Sequence, residues 1–322
     1  MQDVLPHFAI VVCTRHRPAS TADAVRSALA SRPAAAVVVV VDQADAGTAD
    51  PLAEFDGLPR YVRIPRNDRG LSRGRNVGME AAAASGARFV AFTDDDCVAE
   101  PHWLLGFDEA FAVAPDVAAV FGTVRAAPYD RTTGIIPAYE PASAVVLRGL
   151  VDKPRAEGMG ACMAVRVDAW RRLAGFDEWL GPGALLNAAD DSDMVMRLLH
   201  VGFAVAETPA ARVVHHGFRD WPAAGELVAG YMRGYGAVHA KMVRLAGIGA
   251  LAPLNTVGRR WLTGRPAIDL NHLPSRWLRL RAFVRGATAG FSLGLDLRSG
   301  RFLPIQAIDN LADATRGRVD PT

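Results

Sequence analysis

Three consecutive carboxylates, Asp94-Asp95-Asp96, close the uncharged stretch Phe89-Val-Ala-Phe-Thr93. Such a run reads as a buried strand, and side chains alternate along a strand, so Asp94 and Asp96 are expected on one side and Asp95 on the other. Two carboxylates facing one spot repel each other unless a positive charge lies between them, and hard oxygen donors suit Mg²⁺ or Mn²⁺. The plainer alternative is a strand that ends in a turn, with one aspartate capping the helix that begins near Pro101. A second acidic group, Asp190-Asp191 with Asp193, opens a segment whose buried face is Met194, Leu198 and Leu199. Acids there favour a helix N-terminus through the dipole, and Gly202 fits the other end. Asp193 needs no role beyond that helix-start charge. His215 and His216 follow a short apolar strand at residues 211–214.

The elements around these residues alternate in type. Residues 8–13 read as a strand ending at Thr14-Arg15-His16-Arg17, and residues 20–31 as a helix introduced by Pro18. Five valines at positions 37–41 describe a strand buried on both faces, ending at Asp42. A third strand is expected at residues 61–64, then a helix to Ala84 with Ser72 as N-cap, a helix at 103–113 and a strand at 117–124. Residues 128–154 carry four prolines and read mostly as loops, and the Gly-containing turn at 158–162 enters a strand before a helix at 168–173. Strands alternating with helices imply a doubly wound α/β sheet with mostly parallel strands. Ligands bind such sheets beyond the carboxyl ends of the strands, which gathers Thr14, Arg15, Arg17, Asp42 and the aspartate triplet along one edge.

Composition narrows the class. The chain of 322 residues is half hydrophobic and 22% charged, as in ordinary globular proteins. Three scattered cysteines build neither a disulfide framework nor a zinc site, which fits a reducing compartment. Asp3, Pro6 and His7 interrupt any leader-like start, and no apolar run approaches the roughly 18 residues that span a bilayer, so a cytoplasmic protein is expected. Neither a Gly-x-Gly-x-x-Gly after the first strand nor a P-loop occurs. With only two lysines, contacts to phosphate fall to arginines and backbone amides.

Taken in order, the motifs resemble those of the family 2 glycosyltransferases, which have the glycosyltransferase A-type fold. They are Val11-Val-Cys-Thr-Arg-His-Arg-Pro18, Val-Val-Val-Asp42, Gly70-Leu-Ser-Arg-Gly-Arg-Asn-Val-Gly78, Phe-Thr-Asp94-Asp-Asp96-Cys, Gly175-Phe-Asp-Glu and Asp190-Asp-Ser-Asp-Met-Val-Met-Arg197. The resemblance covers residues 8–217. It implies that Asp42 hydrogen-bonds the base or ribose of a sugar nucleotide (UDP, GDP or dTDP), with Thr14, Arg15 and Arg17 lining the same pocket. Arg75 and Asn76 would meet the nucleotide or its phosphates, unless Asn76 simply braces its loop. Asp94 and Asp96 match the ends of the family's Asp-x-Asp motif, Asp96 as metal ligand and Asp94 towards the ribose, with Asp95 between them chiefly structural. Asp190-Asp191 matches the pair that supplies the general base, and Asp191 is the better aligned. Asp190 departs from the usual Glu. His215 would be a third metal ligand, with His216 as the fallback. The reaction implied is inverting, metal-dependent transfer of a sugar to a hydroxyl acceptor. The alternatives are a sugar-1-phosphate nucleotidyltransferase, for which the Asp190-Asp191 pair lacks a task, and a silent sugar-nucleotide-binding protein.

The chain divides by charge. Residues 1–221, the expected catalytic domain, hold 22 Lys+Arg against 28 Asp+Glu for −6, while residues 222–322 hold 14 against 6 for +8. This basic region reads as helical, with Leu227, Tyr231, Tyr235, Val238, Met242 and Leu245 on one segment. A second segment places Trp277, Leu280, Val284, Ala287 and Phe291 on one stripe accompanied by Arg276, Arg279, Arg281 and Arg285. It either caps the catalytic domain and shapes the acceptor site, or forms a patch on the inner membrane face near a lipid-linked acceptor. Apolar stripes are more often core, which favours the cap. Nucleic-acid binding is not expected, because the arginines lack interleaved aromatics. Acceptor contacts are expected from residues 158–162, 175–183 and this region.

Overall fold

A computed structural model of the chain describes residues 4–45, 50–250, 272 and 274–303. Its centre is a sheet whose strand order begins β3 (Tyr61–Pro65), β2 (Ala34–Asp42), β1 (Val4–Thr14) and β4 (Phe89–Asp94), all parallel. It continues through β9 (Cys162–Arg166), β6 (Val117–Ala126), β10 (Ala204–His215) and β5 (Cys97–Ala99), with β8 (Val145–Leu147) paired to β10. β6 and β10 run parallel to each other, while β9 is antiparallel to β4 and β6, and β5 to β10. The sheet is therefore mostly parallel, as the alternation of elements predicts. Two short strands, β7 (Gly134–Ile135) and β11 (Arg219–Asp220), pair separately.

Both faces of the sheet are covered, which is why β2 can be a run of valines. Val38 and Val40 join one core with Phe8, Ile10 and the helices α1 (Pro18–Leu29) and α3 (Trp103–Ala112). Val39 and Val41 join the other, with α2 (Leu71–Ala84), α4 (Val167–Arg172) and α5 (Asp190–His200). Each fully buried valine is worth roughly 1.5 kcal/mol or more of transfer free energy. The registers bring Thr14 opposite Asp42 and Cys13 opposite Asp94, so the polar strand ends do share one edge.

Local expectations fail in two places here. Ser72 lies inside α2 rather than capping it; its hydroxyl donates to the Leu180 carbonyl at 2.8 Å, and Gly70 (φ 118°) turns the chain into the helix. The aspartate triplet does not alternate as one strand, because β4 ends at Asp94 and the chain turns before β5. Asp95 is consequently not directed away from Asp96: one nitrogen of Arg17 lies 3.0 Å from Asp95 and 2.5 Å from Asp96.

Beyond β11 the chain continues as α6 (Trp221–Ala246) and α7 (Arg276–Ser292). α6 shares a hydrophobic cluster with Leu180, Leu186 and Met196 of the α/β body. It is also fixed by charge. Lys241, with no exposed surface, donates to Asp177 at 2.5 Å and to Asp193 at 2.6 Å, and Arg197 donates to Asp193 at 2.8 Å. Asp193 is thus part of a buried four-residue network rather than a solvated helix-start charge. α7 overturns a second expectation: Trp277 is 79% exposed, Leu280 51%, Val284 52% and Phe291 54%, so the stripe faces out. The residues turned inward are Gly286 and Gly290, with Arg279 buried on the first turn. An ideal Cβ on Gly286 would stand 1.9 Å from the Arg233 carbonyl oxygen, and one on Gly236 2.1 Å from that of Phe283. Glycine lets the two backbones touch, and that contact decides which face of α7 is buried.

Candidate active site

The carboxyl ends of β1, β2 and β4 open into a cleft of about 340 Å³. Thr14, Arg15, Arg17, Gln43 and Asp94 to Asp96 line one wall; Pro137, Met159, Pro182, Gly183, His215, Arg219, Leu227 and Tyr231 complete it. Asp95 ties the cleft floor together, accepting from the Thr14 hydroxyl at 2.9 Å, the Arg15 amide and Arg17. Burial pushes its carboxyl up to about 6 against the pull of Arg17. Asp96 is buried too, but the hydrogen bond and charge of His215, with Arg17 and Arg219, outweigh that and hold it below the ordinary value. His215 lies 3.2 Å from Asp96 through Nε2, while its Nδ1 meets the Pro137 carbonyl at 2.7 Å and so carries the proton. His216 is exposed, and its backbone amide donates to the Asp96 carbonyl at 2.8 Å.

This donor set fits a divalent cation. Ligand atoms of Asp96, Cys97 and His215 lie within 4.8 Å of one another. Burial raises the Cys97 thiol well above its ordinary value, so a hard cation is better served by the Asp96 carboxylate and the imidazole. Gly217 closes on the same spot: an ideal Cβ there would stand 2.4 Å from His215 Nε2 and 2.5 Å from Asp96 Oδ2. Arg15, which lines the cleft, has a buried Nε with no hydrogen-bond partner, an arrangement that suits a phosphate or a base carbonyl.

The second acidic motif meets the first through Arg75. This arginine, 3% exposed, donates to Asp190 at 2.5 Å, to Asp94 at 3.5 Å and to the Gly160 carbonyl at 3.1 Å. Its guanidinium also lies 5.6 Å from the centre of the Phe92 ring and 5.7 Å from that of Phe176. Burial raises Asp190 to about 6, with Arg75 opposing. Asp191 accepts from the Gly160 amide at 2.9 Å and the Ser192 amide at 2.6 Å, which fixes its orientation.

Two expected contacts are engaged elsewhere. Asp42 sits at the end of β2, but its carboxylate accepts from Arg63 at 2.6 and 3.1 Å and from the Ala44 amide at 3.0 Å. Asn76 accepts from the Phe176 amide and the Trp170 indole and donates to the Phe176 carbonyl and Glu178, so its whole amide braces the turn after α4. Arg63, Gly217, Leu227 and Tyr231 are neighbours of these groups that the sequence motifs do not mark. Only Gly217, a glycine directly after a histidine pair, offered a local signal. Met159, Pro182 and Gly183 do fall in the stretches expected to contact the acceptor.

A mostly parallel sheet with a nucleotide-sized cleft and acidic groups at its strand ends defines a glycosyltransferase A-type enzyme. Residues 6–229 match the family described as "Glycosyltransferase like family 2". The chain belongs to that family and is a glycosyltransferase. Among curated proteins none matches it in sequence. Among solved structures it is similar to S. aureus TarS 1-349 (TM-score 0.60, 13% identity, 87% of this chain and 80% of that one). A UDP complex of the same TarS fragment matches at TM-score 0.58 and 14% identity, over 87% and 80% of the two chains. The mannosyltransferase PcManGT from Pyrobaculum calidifontis, in complex with GDP-Man and Mn2+, matches at TM-score 0.57 and 16% identity, over 98% and 81%. At these identities the likeness is one of fold.

Proposed function

We propose that the protein transfers a sugar from a nucleoside diphosphate, UDP, GDP or dTDP, to a hydroxyl acceptor with inversion, and that it does so with a bound divalent cation. The observation that carries this reading is the Arg75 bridge, which makes Asp94 and Asp190 parts of one site. UDP and GDP-Man in the complexes of the two similar structures support a sugar-nucleotide donor.

Asp96, Asp94 and His215 would hold Mn²⁺ or Mg²⁺, which when bound would neutralise charge on the leaving diphosphate. Arg15 and Arg17, reaching into the cleft from the end of β1, orient the phosphates by forked hydrogen bonds. The acceptor hydroxyl lies opposite the leaving group, between Met159, Pro182 and Tyr231. Asp191, oriented by two backbone amides, takes the hydroxyl proton as the new glycosidic bond forms and the bond to the diphosphate breaks. One displacement inverts the anomeric centre and needs no enzyme nucleophile. Asp190, held by Arg75, positions its neighbour rather than reacting.

The test is a panel of UDP-, GDP- and dTDP-sugars, with nucleoside diphosphate release as the signal. Asp191→Asn is expected to bind donor as tightly as the unaltered protein and to lose about a hundredfold or more in turnover. Undiminished turnover in Asp191→Asn removes it as the base. Full activity in EDTA removes the cation from the proposal.

A further inference from the structure

The outward stripe of α7 is an apolar face with no partner among the described residues, on a helix without a single acidic residue. At about 100° per residue, Trp277, Leu280, Val284 and Phe291 fall within about 60° of one another. Arg281 and Arg285 border the stripe on one side and Arg276 on the other, and no carboxylate among the described residues forms an ion pair with these three. Ordinarily a helix packs its apolar side and exposes its charge; here Gly286 and Gly290 pack on α6, with Arg279 buried, so the large apolar residues share the solvent side with Arg276, Arg281 and Arg285.

We infer that α7 docks the protein on an anionic lipid surface, lying in the headgroup plane with Trp277, Leu280, Val284 and Phe291 inserted and Arg276, Arg281 and Arg285 on the phosphates. Charge selects this occupant. A second copy seated symmetrically on the stripe would bring two sets of arginines together with no acid on either helix to neutralise them. An anionic headgroup layer meets the apolar row and the cations at once, which is the pattern of interfacial helices. No helix among the described residues is long and apolar enough to cross a membrane.

The docking has a consequence for the cleft. α6 and α7 run parallel, since Gly225 lies against Pro274, Gly236 against Phe283 and Arg244 against Gly290 and Leu293. The Trp277 end of α7 therefore adjoins the end of α6 that puts Leu227 and Tyr231 into the cleft. A bilayer under α7 brings the acceptor side of the cleft to the lipid surface, which suits an acceptor hydroxyl on a lipid-anchored glycan or polyprenyl carrier. That last step rests on the transferase reading; the docking does not.

Flotation of the full chain with vesicles tests the docking without any turnover assay, so its failure is separate from failure of the enzyme reading. Phosphatidylcholine vesicles are compared with phosphatidylcholine and phosphatidylglycerol in equal parts. The protein is expected to float with the anionic vesicles only, and less as salt rises. Arg281→Gln with Arg285→Gln is expected to weaken partition about thirtyfold, from about fivefold per cation at an anionic surface. Trp277→Ser with Phe291→Ser is expected to weaken it at least tenfold, by removing inserted apolar area. All four side chains are exposed, so melting temperatures should not move. No flotation, flotation unaffected by both double variants, or a dimer in sedimentation that Trp277→Ser dissociates would each overturn the inference.

Discussion

Replacing Lys241 by methionine removes one cation from between two carboxylates that have no exposed surface. Asp177 would keep only the amides of Trp179 at 3.1 Å and Phe302 at 2.7 Å, and Asp193 only Arg197 at 2.8 Å. Methionine matches the lysine stem in length, so packing against the Phe302 ring, 4.3 Å from the ammonium, is largely retained and the loss is electrostatic. Stripping one partner from a buried pair costs about 3–5 kcal/mol. In a chain of this size that corresponds to a melting temperature lower by about 4–7 °C. Calorimetry of Lys241→Met, and of Lys241→Met with Asp177→Asn, reads it directly. The double variant no longer carries the uncompensated charge and should recover about half of the loss. Because α6 carries Leu227 and Tyr231, the single variant should also raise the acceptor KM more than the donor KM at temperatures where it is folded. A Lys241→Met protein that melts within about 2 °C of the unaltered one would refute the idea that this ion network anchors α6.

Other outcomes follow from the same geometry. Arg75→Lys keeps a charge but cannot span Asp190, Asp94 and the Gly160 carbonyl together, so turnover should fall at least tenfold (about 1.4 kcal/mol or more) with donor binding changed less; unchanged steady-state kinetics would contradict the bridge. Gly217→Ala puts a carbon where His215 and Asp96 now stand and should cost about a hundredfold in activity, measured beside an unaltered far-ultraviolet spectrum. Asp190 has its carboxyl raised from 3.8 to about 6, so the folded state holds the proton more tightly than the unfolded one. Stability from this group is greatest below pH 3.8 and lost as pH climbs through 6, with the result that Asp190→Asn should gain on the unaltered protein across that window. A difference in melting temperature that stays constant with pH would count against it.

What the residue pattern discloses depends on whether local composition decides the outcome. Five valines in a row need cover on both faces and could only be a central strand; the strand-end rule then located the cleft. The burial of α7 could not be read this way, because hydrophobicity gave its large residues to the core while backbone contact through Gly236, Gly286 and Gly290 was stronger than that preference. Asp193 looked like one more acid on a helix start, since its partner Lys241 is remote in sequence. Asn76 and Asp42 stand at motif positions whose neighbours, Phe176, Glu178 and Arg63, come from other elements. Periodicity reports what a residue prefers; only packing reports which neighbour reaches it first.

The Arg75 guanidinium has a further meaning for how the two acidic motifs can vary. One cation balances Asp94, of the first acidic motif, and Asp190, of the second. Neutralising either carboxylate leaves Arg75 leaning on the other, so the effects of Asp94→Asn and Asp190→Asn are not separable quantities. Their combination should be more damaging than the product of the two, since it leaves a buried cation with neither carboxylate, and a lineage that alters one motif is under pressure to keep the other. The two acidic motifs are, in this chain, a single unit of inheritance.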